Sequence, residues 1–181
     1  MRGLITEFEC TLLDVNVCDF EKKLLHAGAK KIGEYLQKRY IYDFNPVDDN
    51  KWLRLRTNGE KVTLTIKKLE NKFSIGGTKE LEIEVSDFEK TNMILNELGY
   101  RYRNYQENRR ITYILNEVEI DIDFWPMIPP YVEIEGKSEK KVNEIIELLK
   151  LDREKITTYD VTSIYNEIYN IDILKIKELR F

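Results

Sequence analysis

The 181-residue chain is long enough to bury one sizeable core and reads as a single domain over 1–181. Its 42% hydrophobic and 34% charged residues argue against disorder and membrane insertion, and a net charge of −4 gives no basis for a general affinity for nucleic acid. MRGLITEFEC reaches a glutamate before any apolar run of signal-peptide length, no stretch approaches transmembrane length, and Cys10 and Cys18 lack CxxC spacing, so the chain reads as cytoplasmic, with reduced thiols and no membrane or nucleic-acid partner.

The first predicted element is a strand, ITEFECTLL, which sets Glu7, Glu9 and Thr11 on one face and Phe8, Cys10 and Leu12 on the other. Asp19 to Ala29 follows as a helix with Phe20, Leu24 and Ala27 on one face and Gly28 near its end. Strands are then expected over Lys38 to Phe44, Trp52 to Thr57 and Lys61 to Lys68, the last two joined through Asn58-Gly59 as a hairpin. Asn71 to Thr78 reads as a loop and Lys79 to Val85 as a strand. A capping box from Ser86 to Glu89 opens a helix that runs to Leu98 and closes at Gly99. Arg109 to Leu115 and Val118 to Phe124 form a second hairpin, and prolines 126, 129 and 130 mark a loop before a short strand, Tyr131 to Glu135. Ser138 caps a helix that turns Val142, Ile145, Ile146 and Leu149 inward, and a last helix is expected from Asp160 to Asn170. A faint internal echo links two halves: Gly28 precedes Arg39 by the spacing at which Gly99 precedes Arg110, and Tyr42 and Tyr113 stand at +3 from each arginine.

The polar faces share one parity. Arg54 and Arg56 oppose Leu53 and Leu55; Thr63, Thr65 and Lys67 oppose Leu64 and Ile66; Glu80, Glu82 and Glu84 oppose Leu81, Ile83 and Val85. Further on, Arg110 and Thr112, then Glu119, Asp121 and Asp123, then Glu133 and Glu135 repeat the pattern. Two architectures fit. An open antiparallel sheet would hold its apolar face against helices and its charges in water. A closed eight-stranded barrel would instead turn the charges inward around room for one small ligand. Enclosed carboxylates need cations and enclosed arginines need anions. A polyanion carrying a divalent metal satisfies both, with oxygen ligands suiting Mg²⁺ or Mn²⁺ and guanidinium forks suiting phosphate.

In this order the stretches resemble the CYTH family, which includes class IV adenylate cyclases and thiamine triphosphatases and is also called the triphosphate tunnel metalloenzymes. The likeness covers roughly residues 5–150 and rests on Glu7-Phe-Glu9-Cys-Thr11 against the family's ExExK, and on LRLR, TLTIK, ELEIEV, NRRITY and YVEIEG. It implies an α+β fold: an eight-stranded antiparallel β-barrel over about 5–136 forming a triphosphate tunnel, about four helices packed outside it, and C-terminal helices over about 138–181. Glu7, Glu9, Asp123, Glu133 and Glu135 would be metal ligands for Mg²⁺ or Mn²⁺. Arg54, Arg56, Lys67 and Arg110 would bind the triphosphate, with Thr11, Thr65, Glu80, Glu82, Glu84 and Asp121 also facing the tunnel. Thr11 stands where the family usually has a lysine and Asn108 where a basic residue often precedes the arginine. Each removes a positive charge, which leaves position 11 a vacant cationic site unless Arg39 or Lys68 fills the space.

The expected activity is metal-dependent hydrolysis of inorganic triphosphate or a small organic triphosphate such as thiamine triphosphate or a nucleotide. The alternatives are a class IV adenylate cyclase making cyclic AMP from ATP, and a polyphosphate-binding module without turnover. His26 alone makes no zinc site. Gly76-Gly77-Thr78-Lys79 lacks the order of a phosphate loop. Trp125 is expected at the tunnel rim, and Tyr159, Tyr165 and Tyr169 in packing.

Overall fold

A computed structural model describes residues 3–181. The elements are β1 Ile5–Leu12, α1 Val17–His26, β2 Lys30–Asp43, β3 Lys51–Thr57, β4 Val62–Leu69, β5 Thr78–Val85, α2 Phe88–Glu97, β6 Tyr102–Leu115, β7 Val118–Phe124, β8 Tyr131–Gly136, α3 Glu139–Leu148, β9 Ile156–Thr157, α4 Val161–Ser163 and β10 Glu178–Leu179. Strands β6-β2-β3-β4-β5-β1-β8-β7 pair in that order, and β7 returns to β6, so eight antiparallel strands close a barrel. The short β9 and β10 attach outside this ring, to β1 and β6. Among the described residues no helix is long and apolar enough to cross a membrane.

Closure decides between the two sequence readings, and the leucines show how. Leu53 and Leu55 point outward and lie buried with Tyr42 and Leu95 of α2, while Arg54 and Arg56 point in. The outward residues of β1, β6, β7 and β8, among them Cys10, Ile111, Ile120, Ile122 and Ile134, pack under Phe20 and Leu24 of α1 and Val142, Ile145 and Ile146 of α3. Each such aliphatic side chain contributes about 1.5–3 kcal/mol when withdrawn from water, so the helices fix which face of every strand is outside. A third cluster gathers Trp125, Ile128, Ile164, Tyr165, Ile173 and Leu179 around Tyr131. Tyr131 has the inward parity and is fully buried, so the C-terminal segment plugs this end of the barrel. Trp125 is thus part of the plug, with Tyr165 edge-on to it, rather than part of a rim.

Several boundaries differ from those expected. β2 starts at Lys30 and β6 at Tyr102, because the two form one long antiparallel ribbon with twelve register pairs. The first half of β6 carries amides inward (Asn104, Gln106, Asn108), and Gln37 in the middle of β2 does the same, instead of charges alternating with apolar residues, which hid these stretches. Helix α2 is capped by Asp87, whose side chain accepts from the Lys90 amide at 2.8 Å, not by Ser86. The last helix is short: α4 has three residues and runs into a five-residue π turn, Ile164–Ile168. Ser138 does cap α3.

The internal echo has a geometric counterpart. Gly28 and Gly99 each follow a helix at positive φ, +86° and +91°, the left-handed conformation in which glycine is least strained, and each leads into a fourteen-residue strand. Gln37 pairs with Asn108 in the ribbon, and the same shift along the chain that carries Gly28 to Gly99 carries Gln37 to Asn108. The ladder is therefore symmetric about that pair. Arg39 and Arg110 stand two residues beyond it, as mates across a local twofold axis.

Candidate functional site

The strands enclose a cavity of about 650 Å³. Strand order makes β1 and β8 the wall opposite β2 and β3. Carboxylates dominate the first wall and guanidiniums the second.

On the first wall, Glu9 pairs in register with Glu135, and Glu7 lies one inward step along β1. Oxygen atoms of Glu7, Glu9 and Glu135 lie within 4.8 Å of one another. Lys67 donates to both oxygens of Glu7 at 2.9 and 2.8 Å. Burial pushes the Glu7 carboxyl up, but the Lys67 ammonium and Arg54 more than offset this, and it titrates below the ordinary value. Glu9 and Glu135 have no such partner among the described residues. Burial, with repulsion from Glu7 and Glu133 added and Lys67 opposing, pushes Glu9 up to about 7, and withdrawal from water beside Glu9 and Glu7 pushes Glu135 to about 8. An all-oxygen trio holding more negative charge than its surroundings neutralise fits a hard divalent cation.

The trio's excess charge has a measurable consequence. A carboxyl that titrates higher in the folded than in the unfolded chain stabilises the fold only while protonated. Its contribution is full below about pH 4.5 and lost as pH rises past about 7–8. Glu135 is exposed and solvent screens it, so most of the cost falls on the less accessible Glu9, of order 2 kcal/mol. The metal-free protein is expected to melt about 5 °C lower at pH 8 than at pH 5, and Mn²⁺ to reverse most of that loss. Thermal melts with EDTA and with Mn²⁺ at both pH values check this; equal melting at pH 5 and pH 8 without metal would show that the trio carries no excess charge.

The opposite wall holds Arg54 and Arg56 on β3. Arg54 lies 3.4 Å from Glu82 and 3.9 Å from Glu80, and Arg56 lies 3.7 Å from Glu82. Thr65, fully buried, donates to Glu82 at 2.6 Å. Glu80 is pushed up to about 7 by burial, with Lys67 opposing, and its Oε2 accepts no hydrogen bond among the described residues. Glu84 shares the parity but is 65% exposed and lies 3.9 Å from Lys61, outside the cavity lining.

Arg110 forms a separate knot. Its Nε and one terminal nitrogen reach Asp123 at 2.8 and 2.5 Å, that same terminal nitrogen also donates to Glu133, and the other reaches Asp121 at 2.7 Å. Four acceptor contacts leave this fork little to offer a ligand. Asp123 is consequently not brought to the Glu7, Glu9, Glu135 trio: it is fully buried, with its oxygens taken by Arg110 and by the Asn108 amide at 2.8 Å. Glu133 likewise faces Arg110. Thr11 is buried, lines the cavity and stands in register with Glu133.

Arg39 was not among the site residues expected from parity, yet it lines the cavity. Its register partner Arg56 and the echo with Arg110 were the signals that mark it. Lys68 pairs with Glu70 at 3.1 Å and is absent from the lining. At one end of the cavity Lys72 meets Glu167 at 2.7 Å beside Tyr159. His26 is exposed at the end of α1.

A CYTH domain model matches residues 6–165. Among solved structures, a protein from Pyrococcus horikoshii is 25% identical, with a TM-score of 0.73, covering 85% of this chain and 96% of that one. A candidate adenylate cyclase from Vibrio parahaemolyticus is 14% identical, with a TM-score of 0.78 over 91% of this chain and 99% of that one. A Hippeastrum protein with a dominant triphosphatase activity is 16% identical, with a TM-score of 0.60 over 91% and 95%. No curated protein matches the sequence. The matched model spans nearly the whole barrel and the first part of its plug, and the chain belongs to the CYTH family.

Proposed function

We propose that this protein is a metal-dependent triphosphatase acting on inorganic triphosphate or a small triphosphate ester. CYTH enzymes are triphosphatases and adenylate cyclases that depend in general on divalent metal. The observation that carries the reading is the division of one enclosed cavity into a carboxylate wall and an arginine wall. Glu7, Glu9 and Glu135 would hold Mg²⁺ or Mn²⁺, which supplies charge neutralisation and a more acidic bound water. Arg54, Arg56 and Lys67 face the ligand with planar forks and an ammonium suited to phosphate oxygens. Phosphoryl transfer asks the protein mainly for position and charge, and rigid strands on both sides supply them. Glu80 and Glu82 hold the arginine forks in place until the more highly charged ligand displaces those contacts. The Lys67 ammonium, held by Glu7 and titrating above its ordinary value despite burial, stays charged at neutral pH.

The test is an assay with Mn²⁺ and Mg²⁺ across inorganic triphosphate, thiamine triphosphate and ATP, with products separated. Orthophosphate as the main product supports hydrolysis. Cyclic AMP with pyrophosphate would assign the cyclase reaction instead, and tight binding without turnover would assign a binding module.

A further inference from the structure

Arg39 and Arg110 are mates across the β2–β6 ribbon, but their surroundings differ. Arg110 is saturated by three carboxylates. Arg39 is 5% exposed and, among the described residues, makes no ion pair. Its terminal nitrogen donates to two neutral amide oxygens, Gln37 Oε1 at 2.7 Å and Asn108 Oδ1, its face lies 4.6 Å from the Trp125 ring, and its Nε has no partner. A guanidinium does not shed its proton in a protein, so a buried one without an anion is costly to keep. Nearby Arg54 and Arg56 add repulsion. A charge held at such cost, at a cavity wall, points to a ligand that brings the missing anion.

We propose that Arg39 is an anion-binding residue of the tunnel, supplying from β2 the positive charge that Thr11 and Asn108 do not. This rests on the triphosphate reading above and extends it. β2 is the strand directly across the barrel from β1, so a cation at Arg39 faces the wall that carries Glu9 and Thr11. Asn108 is matched to it. Its Oδ1 accepts from Arg39 while its Nδ2 donates to Asp123, which orients the fork and keeps the carboxylate away from it. A lysine at 108 would set an ammonium against the guanidinium. The two positions thus carry one positive charge between them, and here it sits on β2.

The experiment uses the full chain and three proteins: wild type, Arg39→Gln, and Arg39→Gln combined with Asn108→Lys. Tripolyphosphate with Mn²⁺ is titrated calorimetrically at fixed salt, and ligand-free melting is recorded. Arg39→Gln is expected to bind about ten- to a hundredfold more weakly, the effect of losing a charge-assisted hydrogen bond, without melting below wild type. The double variant is expected to recover most of the affinity. Unchanged affinity in Arg39→Gln overturns the proposal, above all if its melting falls, since Arg39 would then be structural only. If wild type binds no tripolyphosphate, the triphosphate reading fails by itself. Stabilisation by pyrophosphate in wild type but not in Arg39→Gln then upholds Arg39 as an anion site, and its absence in both rejects it.

Discussion

Replacing Glu9 and Glu135 together by glutamine is expected to lower metal-dependent triphosphate hydrolysis about a thousandfold while raising the melting temperature of the ligand-free protein at pH 8. The two effects share one origin. Both carboxyls titrate far above their ordinary value because burial and neighbouring carboxylates disfavour their charge. Glutamine keeps the volume and removes that repulsion, so the empty protein gains. It also turns two of the three carboxylate donors that lie within 4.8 Å into neutral amides, which bind a hard cation far more weakly. Charge neutralisation worth about 4 kcal/mol disappears with the two carboxylates, at about tenfold in rate per 1.4 kcal/mol. The Lys67–Glu7 pair stays intact, which keeps the change local. Steady-state kinetics over a Mn²⁺ series, with melts in EDTA, check both halves. Retained activity would deny the trio a metal role. Loss of activity together with loss of stability would report general damage instead.

Arg110→Met is expected to destabilise the protein by about 3–5 kcal/mol at pH 8, roughly 10 °C in melting temperature, with a smaller loss at pH 5. Asp121 and Asp123 are pushed up by burial to about 6 and about 7 even with Arg110 opposing. Without the guanidinium they and Glu133 are left together in a buried site. Their folded values then rise further above the unfolded ones, so the fold keeps its stability only where they are protonated. That contribution is lost as pH rises through the folded values, which makes the penalty larger at pH 8 than at pH 5. Melts of both proteins at the two pH values decide it. An equal loss at both would mean that missing packing, not unpaired charge, is the cause.

The parity of β1, β3, β4, β5, β7 and β8 was legible because a strand with leucine or isoleucine on one side and Glu, Asp, Arg or Lys on the other declares both faces. The early half of β6 and β2 up to Gln37 were not, since Gln37, Asn104, Gln106 and Asn108 line the interior without charge or apolar alternation. The region after Asp160 has helical spacing but turns as a π segment, with Tyr165 donating to the Pro126 carbonyl at 2.6 Å and the Asn166 side chain accepting from the Ile173 amide. Contacts of that range leave no local pattern. The partition of charge was also hidden. Parity put Arg54, Arg110 and Asp123 on one lining, but only the register around the barrel gives Arg110 three carboxylates and Arg39 none.

The shortest contact in the ring joins β1 to β5, through Ile5, Thr6 and Glu7 alone; beyond it the Glu9 amide turns to the Ile75 carbonyl instead. Local opening costs least where the fewest hydrogen bonds break, so this seam parts before any other. Glu7 belongs to it, and its bond to Lys67 spans β5 to reach β4, lacing the seam from inside. The lifetime of the closed ring is thereby tied to the same three residues of β1.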